Sequence, residues 1–497
     1  MNLLTLLDMV AGGNGDITLL GTRAEGLTGQ QLQQQALAAA TLVREASADT
    51  VIFLGGNGPA FPVALFASAY AGVPFLPINF RLSSDQIDEI ISRSTSPLIV
   101  TDNPERAATS NAITTEDFLF RSVTTEPLAD PADPDVEDIA VLLMTSGTTA
   151  APKSAVLRHR HLTSYVLGSV EFASAEPTDA TIVSVPPYHI AAVANLLSNL
   201  FAGRRIVYLD QFTPRQWLDT VKSERISNAM VVPTMLVRIV RELLAAGETG
   251  PASLKGLSYG GAKISAPALA KALELFPDTG FVNAYGLTET ASSIAVLGPD
   301  DHRDALASDD PNVRARLASV GRALPTVEIE VHDADGSPCA PGEVGDIVVR
   351  GPQVAGEYLE AGSLVDPNGW FPTRDLGHLD SDGFLFVQGR ADDTIIRGGE
   401  NIAPAEIEAA LAAHESVADC AVAGIPDAEW GHRIAAFVVA QPGHATDANA
   451  LRAWVRSQLR SSKTPDDVIF LDELPTTPTG KILRRNLVAS VVSDAPA

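Results

Sequence analysis

Short apolar, β-branched runs alternate with longer helical patterns through the first three quarters of the chain. Residues 50–54 (TVIFL) read as a strand buried on both faces, followed by a helical stretch over 62–70 and an extended piece over 75–79. Residues 84–93 are amphipathic, and 97–101 (PLIVT) are again strand-like. The alternation resumes with apolar runs at 139–144, 181–185, 205–209, 229–232 and 280–284. This rhythm predicts α/β layers with largely parallel sheets. From Val327 the texture changes to β-rich pieces with glycine-containing turns, VEIEVHDADGSPCAPGEVGDIVVRG and then GFLFVQGR. A composition break falls at 390–393. Beyond it the pattern predicts a helix over 404–413, strands around Cys420 and Phe437, and a helix over 448–459. The expected organisation is a large α/β domain over 1–391 and a small α+β domain over 392–497.

Length supports two domains, because 497 residues exceed what one compact core holds. Hydrophobic residues make up 45% and charged residues 19%, an ordinary globular balance. The net charge of −26 excludes nucleic acid as a general partner, since phosphate neutralisation needs clustered lysine and arginine. It does not exclude small anions held in a local site. The longest nearly uninterrupted apolar run, 190–203, falls short of the roughly 18 residues of a membrane span, so no membrane span is expected. Residues 1–7 are apolar but lack the basic start and small-residue cleavage site of a signal peptide. Two cysteines, Cys339 and Cys420, form neither a metal-ligand spacing nor a disulfide framework, which makes a reducing, cytoplasmic setting the default.

The strongest local chemistry lies at 143–153, LMTSGTTAAPK. An apolar strand runs into a loop of hydroxyl and small residues closed by Pro-Lys. Hydroxyls, backbone N–H groups and one ammonium suit the oxygens of a polyphosphate. No GxxxxGK[ST] occurs, so P-loop chemistry is disfavoured. The loop resembles the phosphate loop of the adenylate-forming superfamily, most closely the branch of acyl- and aryl-CoA ligases. Further signatures follow in that family's order: YGLTET at 285–290, WFPTRDLG at 370–377, GRADDTIIRGGENI at 389–402 and PTTPTGKIL at 475–483.

The resemblance implies an ATP- and Mg²⁺-dependent enzyme with a small, mobile lid domain. Thr145, Ser146, Gly147, Thr148, Thr149 and Lys153 would cradle the phosphates. Thr288 would bond the α-phosphate, and Glu289 would hold Mg²⁺, which a hard carboxylate oxygen suits. Gly260, Gly261 and Ala262, in SYGGA, would edge the adenine, with Tyr285 against its face. Asp375 would take the ribose hydroxyls and Arg390 a second ribose or phosphate contact. Lys481 would be the catalytic lysine, its ammonium stabilising charge as a carboxylate attacks the α-phosphate. Asp392 would be the hinge about which the lid turns. Gly398, Gly399 and Glu400 would then face the pantetheine thiol of coenzyme A.

The acyl pocket is expected beside VPPYHIAAV at 185–193, with His189, Val193 and Val232 lining it; a satisfied core histidine reads almost as well at His189. No Asp stands between Ile182 and Asn199 to pair an amino acid's ammonium, which favours an uncharged acyl or aryl acid. Two positions depart from the family pattern: Ala150 and Ser154 stand where glycine is usual or frequent. The reading is therefore activation of a hydrophobic carboxylic acid to an acyl-adenylate and its transfer to CoA, by a monomer or a homodimer. The alternatives are an enzyme loading a carrier protein in trans, and an impaired homologue.

Overall fold

The computed structural model describes the chain except residues 14–16, 104, 106–110, 146–152, 398–399, 428–429, 445, 478–481 and 494–497. Two large sheets form the first part. One has eight strands in the order Gly362–Ser363, Glu357–Tyr358, Lys153–Arg158, Ile139–Thr145, Phe75–Pro77, Thr50–Leu54, Pro97–Thr101 and Ala112–Thr114. Its second half, from Ile139–Thr145 onward, is parallel, and the first three strands are antiparallel additions. The other has nine strands, of which six run parallel: Gly280–Leu287, Gly256–Gly260, Asn228–Val231, Ala180–Val183, Arg205–Tyr208 and Thr18–Gly21. The strands Thr50–Leu54 and Pro97–Thr101 are buried at every position, the burial that sheets covered by helices on both faces impose.

Helices fill the space against the sheets. Ala60–Ala71 is apolar on all sides and buried throughout, as a helix enclosed by other elements must be. Gly29–Glu45 packs on it and begins at a reciprocal cap, in which Thr28 and Gln31 each satisfy the other's backbone N–H. The apolar N-terminus proves to be a helix, Leu3–Gly13, whose Leu3, Leu6, Leu7 and Val10 enter the main core. The two sheets touch where their strand ends meet: Asn57 donates from Nδ2 to the carbonyl of Leu209 at 3.3 Å, and the Phe80 and Tyr188 rings lie 5.7 Å apart.

The glycine-punctuated stretch after Val327 forms a four-stranded antiparallel sheet of Glu328–His332, Gly345–Arg350, Phe371–Leu379 and Leu385–Arg390. A one-turn helix, Ala391–Asp393, leads into the last part. There a sheet built on Val417–Asp427 and Gly431–Ala440 separates two cores by the period-two rule. Cys420, Val422, Ile434, Ala436 and Val438 face helices Pro404–Ala412 and Ala448–Gln458, while Ala421, Ala423, Ala435 and Phe437 face helix Arg484–Ser493. No helix among the described residues is long and apolar enough to cross a membrane.

Candidate active site

The parallel strands of both sheets end on one side, where open α/β sheets place their ligands. Ile139–Thr145 there runs into the hydroxyl-rich loop, and Lys153–Arg158 leaves it as the antiparallel return strand. Thr145 and Lys153 pair in register at the loop's base. Ser146, Gly147, Thr148 and Thr149 lie outside the described residues, as does Ala150.

Across from this base, Gly256–Gly260 ends in Gly261, whose φ of +83° is the left-handed conformation glycine adopts without penalty. Gly260 has no room for a side chain, since a Cβ would stand 2.2 Å from the carbonyl oxygen of Ala284. Ala262 follows, half-buried. The next strand, Gly280–Leu287, carries Tyr285 and pairs with Ser292–Leu297. Between them Thr288–Thr290 makes a single 3-10 turn that places Thr288 and the buried Glu289 at the tip. Ala291 and Ser292 close this turn at φ of 53° and 119°, a local strain of the kind kept at functional sites.

Two side chains converge on Asp375, which is buried. The Tyr285 hydroxyl donates to its Oδ2 at 2.5 Å, and Arg390 Nε reaches Oδ1 at 2.9 Å. Asp375 and Arg390 are register partners on adjacent strands, so the sheet itself sets this pair. Arg390 also donates to the carbonyl of Thr373 at 3.2 Å. Burial, with the Asp375 charge beside it, raises the Tyr285 phenol well above its ordinary value, which keeps it a donor. An ionised carboxylate only accepts, so hydroxyl donors suit Asp375. Tyr285 thus reaches Asp375 as well as presenting a ring face.

A second convergence surrounds Glu289. The Tyr358 hydroxyl donates to its Oε1. The Lys153 ammonium sits 5.5 Å from the centre of the Tyr358 ring, within cation–π range. Tyr358 lies on the short strand Glu357–Tyr358, which joins Lys153–Arg158 through the Tyr358–Ala155 pair. Arg158 clasps Glu357 at 2.7 Å. Ser154 donates to Glu360 from its N–H at 2.9 Å and its hydroxyl at 2.8 Å, and Arg93 pairs with Glu360 at 3.1 Å. Sequence reading missed Tyr358, Glu357 and Glu360. Their run is short and polar, and nothing in it signals a partner so far back in the chain.

His189 stands immediately before helix Ile190–Ala202, with its ring 4.6 Å from that of Tyr188. Its Nε2 is buried without a hydrogen-bond partner among the described residues, and burial lowers its pKa to about 4. The ring is therefore neutral at pH 7. Val193 and Val232 are buried in the main core. Asp392 is exposed on the one-turn helix that joins the two parts. Asp393 beside it is held by Arg484 at 3.1 Å, and Arg484 also reaches Glu408 at 2.7 Å. Glu400 opens the strand Glu400–Ile402, whereas Gly398, Gly399 and Lys481 lie outside the described residues.

Known proteins match this chain along nearly its whole length. The AMP-binding enzyme family matches residues 7–359, and its C-terminal domain matches 406–481. The chain belongs to the AMP-binding enzyme family. As such it is an adenylate-forming ligase with a large, largely parallel α/β part and a small C-terminal domain. A feruloyl-CoA synthase of Amycolatopsis is 34% identical over 444 residues, covering 88% of this chain and 87% of the relative. A fatty acid–acyl-carrier-protein ligase of Streptomyces coeruleorubidus is 32% identical over 485 residues, covering 93% and 91%. Among solved structures, the o-succinylbenzoate CoA synthetase of Bacillus subtilis in complex with its acyl-adenylate intermediate superposes with a TM-score of 0.85. It is 27% identical, with 99% of this chain and 98% of that one covered.

Proposed function

We propose that this AMP-binding enzyme activates a hydrophobic, preferentially aryl, carboxylic acid with ATP and passes the acyl group to coenzyme A. The observation that carries the reading is the pair of convergent carboxylates, Asp375 with Tyr285 and Arg390, and Glu289 with Tyr358 and Lys153, at the strand ends beside the loop base. Asp375 fits a sugar diol as acceptor. Glu289 fits a hard cation: it is a buried carboxylate, and no cluster of three His, Cys, Asp or Glu exists among the described residues. Phosphate oxygens and water would therefore complete the shell, as is usual for Mg²⁺. The ion, when bound, neutralises phosphate charge.

Lys153 and the hydroxyl loop position the phosphates, and Lys481 stabilises the charge that gathers as the carboxylate attacks the α-phosphate and pyrophosphate leaves. The acid lies beside His189. Residues 392–497 then turn about Asp392, withdrawing Lys481 and bringing Gly398, Gly399 and Glu400 to the thiol, which attacks the mixed anhydride and releases AMP. Two reactions in one cleft need such a moving part. An aryl acid ranks ahead of a straight fatty chain because feruloyl-CoA synthase and 2-succinylbenzoate–CoA ligase relatives act on aromatic acids. A second reading, loading of a carrier protein in trans, is supported by the acyl-carrier-protein ligase that matches over 93% of the chain. AMP release over a panel of aryl, arylalkyl and aliphatic acids, with CoA or a phosphopantetheinyl carrier as acceptor, tests both. The expected result is CoA-dependent turnover fastest with an aryl acid; acetate or a free amino acid as best substrate would overturn it.

A further inference from the structure

Tyr358 has no role in the reaction scheme above, yet it is the side chain that touches Glu289. The backbone around it holds Glu289 as well: Ala355 and Gly356 donate their N–H groups to the Glu289 carbonyl at 2.9 and 3.0 Å. One short segment, 355–358, thus fixes both the main chain and the carboxylate of a residue on a strained one-turn tip. The segment is itself secured. The Tyr358–Ala155 pair sets its register, Arg158 grips Glu357, and Glu360 takes two bonds from Ser154 and an ion pair from Arg93. The Thr145 hydroxyl adjoins the Tyr358 hydroxyl, and the Lys153 ammonium covers the ring. The two ends of the phosphate loop and the carboxylate at the tip therefore meet at one phenol.

We propose that Tyr358 is a positioning residue for the metal end of the site: its hydroxyl holds Oε1 of Glu289 and leaves Oε2 for the cation. The proposal rests on Glu289 being the cation's ligand. A carboxylate without an outer partner rotates and binds a metal more weakly; loss of such a partner typically costs 10–100-fold in affinity or activity. The phenol ring keeps the Lys153 contact whether or not the hydroxyl is present, which makes the hydroxyl separable by mutation.

The test is Tyr358→Phe in the full-length enzyme. ATP binding is measured calorimetrically without acid over a series of Mg²⁺ concentrations, alongside pyrophosphate release, the KM of the acid and the thermal midpoint. The expected result is a Mg²⁺ half-saturation raised about 10-fold, with activity lost at low Mg²⁺ recovered at high Mg²⁺. The acid KM and the thermal midpoint should hold. An unchanged Mg²⁺ response overturns the proposal. So does a raised acid KM together with a fall of turnover and thermal midpoint that Mg²⁺ does not restore, because that marks a structural strut. Glu289→Gln separates the proposal from the reading beneath it. If that variant keeps the normal Mg²⁺ response, Glu289 is not the ligand and both fall. If Glu289→Gln loses the response while Tyr358→Phe keeps it, only the role of Tyr358 falls. In a Glu289→Gln background, Tyr358→Phe should add nothing, as expected of two groups acting through one contact.

Discussion

Asp375 is held between a phenol and a guanidinium inside the protein, and neither partner can be removed cheaply. Asp375→Asn keeps the shape but strips the charge, leaving Arg390 facing an amide. A hydrogen bond to a charged group contributes about 1.5–3 kcal/mol, so the KM for ATP should rise roughly 10- to 100-fold. The order of preference among acids should not change, and a reordered panel would count against a nucleotide role. Lys481→Ala should slow acyl-adenylate formation by about 10² to 10³, the loss expected of one well-placed electrostatic donor. The same variant, given preformed acyl-adenylate and CoA, should form thioester near the normal rate; a parallel fall of both half-reactions would refute a turning lid. Glu289, Asp375, Arg390 and Lys153 could be singled out from the sequence as candidates because each sits inside a motif of fixed order, and folding brings Asp375 and Arg390 into contact. Tyr358 could not be, because its partner is 69 residues away and only folding brings them together. Ser154, a departure from the family's frequent glycine, has a use that sequence could not reveal: its hydroxyl ties the return strand to Glu360.

At the level of elements, the hairpin of Gly280–Leu287 and Ser292–Leu297 carries the site's most demanding backbone. Its register shifts between Tyr285 and Gly286, and a Cβ on Gly286 would lie 1.9 Å from the carbonyl oxygen of Ser292. Gly286→Ala must part the strands, moving Tyr285 and Glu289 together. We expect activity to fall by more than about 10-fold and stability by about 1–3 kcal/mol, the usual cost of overpacking; urea unfolding and steady-state rates check both. Asp392→Pro fixes φ near −65° at the junction. One half-reaction should survive and the other fail, whereas equal loss of both in a folded protein would point to local damage. The α/β alternation was readable because strands covered on both faces are runs of β-branched residues, as at Thr50–Leu54. Helix Leu3–Gly13 was not, since only Thr5 and Asp8 break its apolar run and so short a stretch gives too weak a period to read. Strands of two residues, such as Glu357–Tyr358, carry no pattern at all.

Across the whole molecule, buried neutral histidines contribute to the response to acid. Burial lowers His159 to about 4, His161 to about 3 and His189 to about 4. As pH drops below about 6.5 the unfolded chain binds protons at these rings while the folded one does not, so their stabilising contribution is lost between there and about 4 for His159 and His189, and down to about 3 for His161. Each can steepen the decline by up to roughly 1.4 kcal/mol per pH unit. Urea midpoints from pH 7.5 to 4.5 should show it, and His161→Gln should flatten the slope by one histidine's share; an unaltered slope would exclude this cause. The eight-stranded sheet has a different consequence, one of timing. Its return strand is closed by residues far downstream, with Ser154 and Glu360 separated by 206 positions. A ribosome adding about 5–20 residues per second needs about 10–40 s to travel from one to the other. Throughout that interval the nascent polypeptide holds the sequence of its nucleotide loop without the clasp beside it. Stalled chains ending near residue 350 should therefore gain no protease resistance from ATP, whereas chains arrested beyond residue 400 should begin to.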